Sequence, residues 1–155
     1  MKPAPRRHLK PFLCAAALAG TLSACAGLMP TEGPPPTLYD RLGGEDGVAN
    51  IVDSFVFGLL RDPVVGPSFA DIPASRLPRL KYLFEQQICE VADGPCRYTG
   101  KDMVAAHRGM DVTDAEFNAM GAVMERTLRV RGVPDAAADS LLARLGAMRG
   151  DIVGK

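Results

Sequence analysis

From Thr37 onward, apolar side chains recur at helical intervals along almost the whole chain, with polar residues filling the gaps. Val48, Ile51, Val52, Phe55 and Leu59 follow i, i+3, i+4, i+7 and i+11, which predicts a helix with one buried face that Asp62-Pro63 ends. A second stripe, Leu80, Phe84, Gln87, Ile88 and Val91, runs from Arg79 to the break at Asp93-Gly94-Pro95. Thr113 and Glu116 have capping-box spacing and open a third helix, with Phe117, Met120, Gly121, Met124 and Leu128 along its face. Past Gly132 and Pro134, Leu141, Leu142, Leu145 and Met148 mark a fourth. Shorter pieces lie between these: Leu38 to Leu42 is a turn of helix stopped by Gly43-Gly44, and Phe69 closes a brief apolar connection. No stretch alternates with a period of two. The expected fold is all-α, four substantial helices plus short ones.

The front of the chain follows a different pattern. Lys2, Arg6, Arg7 and Lys10 precede an apolar run from Phe12 to Leu22 that holds no acidic residue. That run is too short for a membrane-spanning helix, which needs ~20 residues, and it reads as an export signal. Leu22-Ser23-Ala24-Cys25 resembles the lipobox of bacterial lipoproteins, in which the cysteine is lipidated and becomes the first mature residue. The expected organisation is a signal over residues 1–24, a lipidated Cys25 with a Pro/Gly-rich tether over 25–36, and one domain over 37–155. This implies a bacterial envelope protein facing the periplasm. Ala26 after the cysteine favours the outer membrane by resemblance to enterobacterial lipoproteins.

Removing residues 1–24 leaves 131 of 155 residues, enough for one domain with a real core. Four of the 18 basic residues leave with the signal, so the balance becomes 14 basic against 18 acidic. That deficit argues against a nucleic-acid partner, which needs a basic face. Cys89 and Cys96 remain inside the domain, where an oxidising compartment would let them close a short disulfide loop worth roughly 2–3 kcal/mol. The alternative is two unrelated buried thiols.

One histidine is left after export, His107, in the run Tyr98-Thr99-Gly100-Lys101-Asp102-Met103-Val104-Ala105-Ala106-His107-Arg108-Gly109. A single imidazole cannot assemble a zinc site or a Ser/His/Asp relay. It can hold a haem, because the porphyrin supplies the other four iron ligands. Met103 stands one helical turn earlier on the same face. On spacing alone, such a histidine is more often an ordinary core or surface residue.

At this point the residues resemble a family. Leu38-Tyr39-Asp40-Arg41-Leu42-Gly43-Gly44, the Phe55 helix, Asp62-Pro63, Phe69, Gly94-Pro95, Tyr98-Thr99-Gly100, the Met103/His107 pair and Val112-Thr113 through Phe117 are similar, in order, to the truncated haemoglobins of the first group. The cysteine pair resembles that of a proteobacterial branch. The resemblance implies a two-over-two helical sandwich around haem b, with His107 as proximal ligand and Phe69 packed on the porphyrin. It also implies that Met103, Val112, Phe117 and Met120 line the proximal and inner side, and that Leu80 and Phe84 occupy distal positions.

Several positions depart from that pattern. Val56 follows Phe55 where many relatives place a tyrosine that donates a hydrogen bond to bound oxygen, which implies faster oxygen release here. Gln87 is the polar member of its stripe; it either turns inward toward the ligand or lies at the stripe's edge. Leu83 replaces a lysine that in some relatives meets a haem propionate, leaving Tyr98, Lys81 or Arg79 as candidates. The function implied is binding of oxygen, nitric oxide or carbon monoxide by a membrane-tethered haem protein, with no catalytic acid or base evident. Turnover of nitric oxide to nitrate would need a reductase that the sequence does not name. The alternatives are a haem-free helical lipoprotein acting as an interaction module, and a haem-based sensor or electron carrier with a methionine such as Met110 as second axial ligand.

Overall fold

The computed structural model describes residues 33–155, so the expected signal over 1–24, Cys25 and the tether up to residue 32 lie outside the described residues. Helix α1 (Leu38–Arg41) starts at Thr37, whose Oγ1 accepts the Asp40 N–H at 3.1 Å while the Asp40 carboxylate accepts the Thr37 N–H at 2.8 Å. Then follow α2 (Gly44–Leu59), 3-10 turns at Gly66–Phe69 and Ala74–Arg76, α3 (Leu77–Val91), α4 (Met103–His107), α5 (Asp114–Val130), α6 (Asp135–Gly146) and α7 (Arg149–Ile152). There is no strand among the described residues.

Three boundaries differ from the periodicity reading. Helix α2 ends at Leu59, ahead of Asp62-Pro63, and Asp62 closes the following turn by accepting the N–H groups of Val64 and Val65 at 3.0 and 3.2 Å. Those two donors hold its carboxyl below the usual range. Helix α3 begins at Leu77 rather than Arg79, because Pro78 in a first turn gives up an N–H that has no helical partner there. The expected fourth helix is two, α6 and α7, and Met148 sits at the corner between them.

Helices α2 and α3 pack against each other, as do α5 and α6. The pairs meet where α2 crosses α5 and α3 crosses α6, giving two helices over two. Every apolar position of the α2 stripe is buried, together with Ile88, Val123, Met124, Leu128 and Leu141. At roughly 1.5–3 kcal/mol per fully buried aliphatic or aromatic side chain, this shared core is the main favourable term. Two glycines set its spacing. A Cβ on Gly58 would come within 2.8 Å of Val123 Cγ1, and one on Gly47 within 2.1 Å of the Leu42 carbonyl oxygen. The first lets α2 approach α5; the second lets α1 fold back on α2.

The start of α5 is tied to the 3-10 turn by Glu116. Its Oε2 accepts the Thr113 N–H (2.8 Å) and hydroxyl (2.7 Å), while Oε1 accepts the Ser68 hydroxyl at 2.6 Å. These donors, Ser68 first, lower its carboxyl from 4.5 to about 2. A depressed carboxyl stabilises the fold fully above its unfolded value and loses that contribution as pH falls from 4.5 through about 2. Glu116→Ala is expected to cost about 1 kcal/mol at neutral pH and to flatten the acid limb of the stability profile. Urea melts at pH 7 and pH 3 check this; an unchanged acid limb would count against it.

Candidate functional site

The site is assembled around a short segment that cannot hold itself. Helix α4 has five residues, far fewer than an isolated helix needs, so its position comes from what it is attached to. On its N-terminal side, Cys89 at the end of α3 is bonded to Cys96, with Cα atoms 5.7 Å apart. Gly94 lies inside the loop so formed, where a Cβ would be 2.7 Å from Cys89 Sγ and 2.8 Å from the Tyr39 ring. Next along the chain, Gln86 Oε1 accepts the Thr99 N–H at 3.2 Å and its hydroxyl at 2.7 Å. Asp102 then caps α4 by accepting the Ala105 N–H at 2.7 Å. On the C-terminal side, the Met110 and Asp111 N–H groups donate to the Lys155 carbonyl at 3.1 and 2.9 Å, and the Gly154 N–H donates to the Val112 carbonyl at 3.0 Å. Helix α7 packs on α4, and Arg149 fastens α7 to α5 through Asp114, Asn118 and the Phe117 ring.

His107 ends α4 half-buried, with Nδ1 2.8 Å from the Met103 carbonyl oxygen. A carbonyl can only accept, so Nδ1 carries a hydrogen, and in the neutral ring the lone pair is on Nε2. That bond also fixes the ring's orientation, as a metal-binding imidazole requires.

A cavity of about 140 Å³ lies beside this ring. It brings together Phe84, Gln87, Met103, His107, Phe117 and Met120, all expected from the sequence. Gln87 turns inward: its Nε2 is 3.2 Å from Met103 Sδ and 3.4 Å from Met148 Sδ. Met124 and Gly121 of the α5 stripe line it too, and the rest of the wall is not read from the sequence: Phe55, Ile88, and Leu142, Leu145, Gly146, Met148 and Ile152 near the end of the chain. The Phe55 and Phe84 rings meet edge to face with centroids 5.5 Å apart.

Five residues expected in the pocket are not among those lining this cavity. Val56, 2% exposed, packs into the core, because one residue past Phe55 is about 100° further round the helix. Phe69 packs against the same core from the 3-10 turn. Leu80 is half-buried on α3, a turn before the first lining residue, Phe84. The Tyr98 ring covers Gly100, where a Cβ would be 2.2 Å from its hydroxyl oxygen. Val112 is half-buried, and its backbone carbonyl accepts the Gly154 N–H. Of the propionate candidates, Lys81 is engaged by Asp53 at 2.7 Å. Arg79 lies over Tyr82 and near Tyr98, whose phenol burial pushes up while the arginine's charge opposes the shift.

The bacterial-like globin family matches residues 37–153. The chain belongs to the bacterial-like globins. A group 1 truncated hemoglobin of Tetrahymena pyriformis is 30% identical over 121 residues, covering 78% of this chain and 98% of that protein. One of Nostoc sp. is 29% identical over 119 residues, covering 77% and 98%. Among solved structures, the Fe(III) form of the T. pyriformis truncated hemoglobin superposes with a TM-score of 0.73 at 28% identity, covering 77% of this chain and all of that one. The 2/2 hemoglobin of Synechococcus sp., in the cyanomet state with covalently attached heme, gives 0.70 at 25% identity, covering 76% and 98%.

The family implies haem iron and the binding of diatomic gases such as oxygen. The chemistry of this globin's donors fits that group, with one oriented imidazole, its Nε2 lone pair, and walls of Phe, Leu, Ile and Met. The volume is below the ~300–1,000 Å³ common for ligand pockets. Met103 and Met148, which meet across it at Gln87, are unbranched chains with three rotatable bonds and are the side chains best able to move aside.

Proposed function

We propose that this globin holds haem b through His107 Nε2, binds oxygen, nitric oxide or carbon monoxide reversibly, and is tethered to the bacterial envelope through a lipidated Cys25. The observation that carries the reading is the Nδ1 to Met103 carbonyl bond, which leaves Nε2 as the single oriented metal donor beside an apolar cavity. Bound haem iron supplies the affinity for a diatomic gas. The side chains of this chain exclude water, orient the imidazole and provide one amide donor. Adding haemin to the mature protein and recording oxidised, reduced and carbon monoxide spectra tests this. A sharp Soret band that shifts with carbon monoxide supports it; folded protein that takes up no stoichiometric haem points instead to a helical interaction module.

Gln87 is the amide among the lining residues, and Val56 offers no hydroxyl. A neutral hydrogen bond is worth roughly 0.5–1.5 kcal/mol, so Gln87→Leu is expected to speed oxygen release about twofold to tenfold and leave carbon monoxide release nearly unchanged. Stopped-flow displacement reads both rates. Equal oxygen rates in the two proteins would remove Gln87 from this role.

Tethering rests on the lipobox resemblance at Leu22-Ser23-Ala24-Cys25. Labelled palmitate should appear in the wild type and not in Cys25→Ser.

A further inference from the structure

We propose that the α2–α5 face, on the far side of these helices from the His107 cavity, docks flat on an anionic phospholipid surface. Helix α2 does not bury all its aromatics. Phe55 and Val56 turn inward, but Phe57 is 59% exposed, and Leu60 at the helix end and Val64 in the turn beyond it are exposed too. Across a groove of about 520 Å³ on that face stands Val130, 82% exposed at the end of α5. The two most exposed aliphatic and aromatic side chains of α2 and α5, Phe57 and Val130, therefore share one groove.

Arginines rim the same face. Arg61 lies 3.5 Å over the Phe57 ring, and Arg126 and Arg131 line the groove. The nearby carboxylates are already engaged: Asp53 with Lys81, Asp62 with Arg126 and Glu125 with Arg129. Arg61 and Arg131 have no carboxylate partner among the described residues; Arg131 donates to the Ser54 hydroxyl instead. The mature chain is acidic overall, so two spare guanidinium groups set among apolar side chains mark a local reversal. Phosphate headgroups over an acyl layer complement that arrangement, with guanidinium bidentate to phosphate and apolar tips just below. A second copy of the chain would instead set these arginines against each other across a two-fold axis.

Where the domain begins points the same way. Arg41, at the end of α1, lines a hollow with Arg131, so the first helix stands beside the rim of this face. Cys25 to Pro36 is 12 residues, at most ~40 Å when extended. The membrane's nearness rests on the lipidation proposed above; affinity of the face for lipid does not.

The two are tested separately by floating the mature chain, residues 25–155 carrying Cys25→Ser, with phosphatidylcholine vesicles with and without phosphatidylglycerol. Flotation with the anionic vesicles alone is expected. Arg61→Gln with Arg131→Gln should weaken it roughly 25-fold at about fivefold per charge, and Phe57→Ser with Val130→Ser should abolish it while far-ultraviolet dichroism stays unchanged. No flotation, equal flotation on both vesicles, or wild-type flotation by both variants overturns the proposal. So does sedimentation showing a dimer that these substitutions dissociate. Palmitate labelling can fail while flotation succeeds, and the reverse.

Discussion

His107→Ala is expected to lose stoichiometric haem uptake while keeping the helical fold. The imidazole is half-buried at the end of a five-residue helix, outside the α2–α5 core, so its removal costs little packing. It does remove the one nitrogen among the lining side chains that can coordinate iron, since the Gln87 amide nitrogen has no free lone pair and the methionines offer only soft thioethers. The truncation also leaves a ring-sized space beside the Met103 carbonyl, which loses its side-chain donor. Added imidazole should enter that space, donate to the carbonyl and restore much of the Soret band. Haem spectra and far-ultraviolet dichroism of the variant, with and without imidazole, check this. A full-strength Soret band in His107→Ala without imidazole would show that another residue holds the iron.

The second large effect belongs to the Cys89–Cys96 bridge. Replacing both cysteines with serine opens the loop at Asp93-Gly94-Pro95 and should cost ~2–3 kcal/mol, a fall of roughly 8–15 °C in melting temperature for a domain of this size. The loss is not confined to stability. The bridge leads directly into the segment that Gln86 and Asp102 hold beneath His107, so transfer of haem to a competing apoprotein should also be faster. Dithiothreitol should reproduce both changes in the wild type and neither in the double variant. If reduction lowers the melting temperature without speeding haem transfer, the bridge stabilises the fold alone. Arg144 explains such an outcome: from α6 it bonds the Val91 carbonyl at 2.5 Å and Asp93 at 2.7 Å, a second clasp at the same corner.

The elements that announce themselves in the sequence are those whose signals are local. The α2 stripe, the Thr113/Glu116 box and the Asp93-Gly94-Pro95 break depend on neighbours within one or two turns, and each stands where expected. The wall of the cavity does not work that way. Leu142, Leu145 and Met148 are visible as an apolar stripe, but periodicity says that a face is covered and not what covers it. The split at Gly146 that turns Ile152 toward the cavity has no proline to mark it. Val56 and Phe55 differ by one step along the helix and both are buried in the core, and only the crossing of α2 with α5 decides that Phe55 also lines the cavity. Phe57 falls outside the stripe altogether; its exposure becomes meaningful once Val130, 73 positions later, stands opposite it.

Between Asp93 and Ala122 no residue is fully buried, whereas α2 alone contains six that are. The segment carrying His107 is thus held by a bridge, a few polar clasps and the chain's last residues, while the opposite wall is part of the core. Such a segment can detach as a unit at far lower free energy than global unfolding requires. A flat macrocycle then has a way in that does not disturb the main packing. Phe55 and Phe84 on the fixed wall would receive the haem, and His107 on the detachable segment would supply the imidazole as that segment packs back.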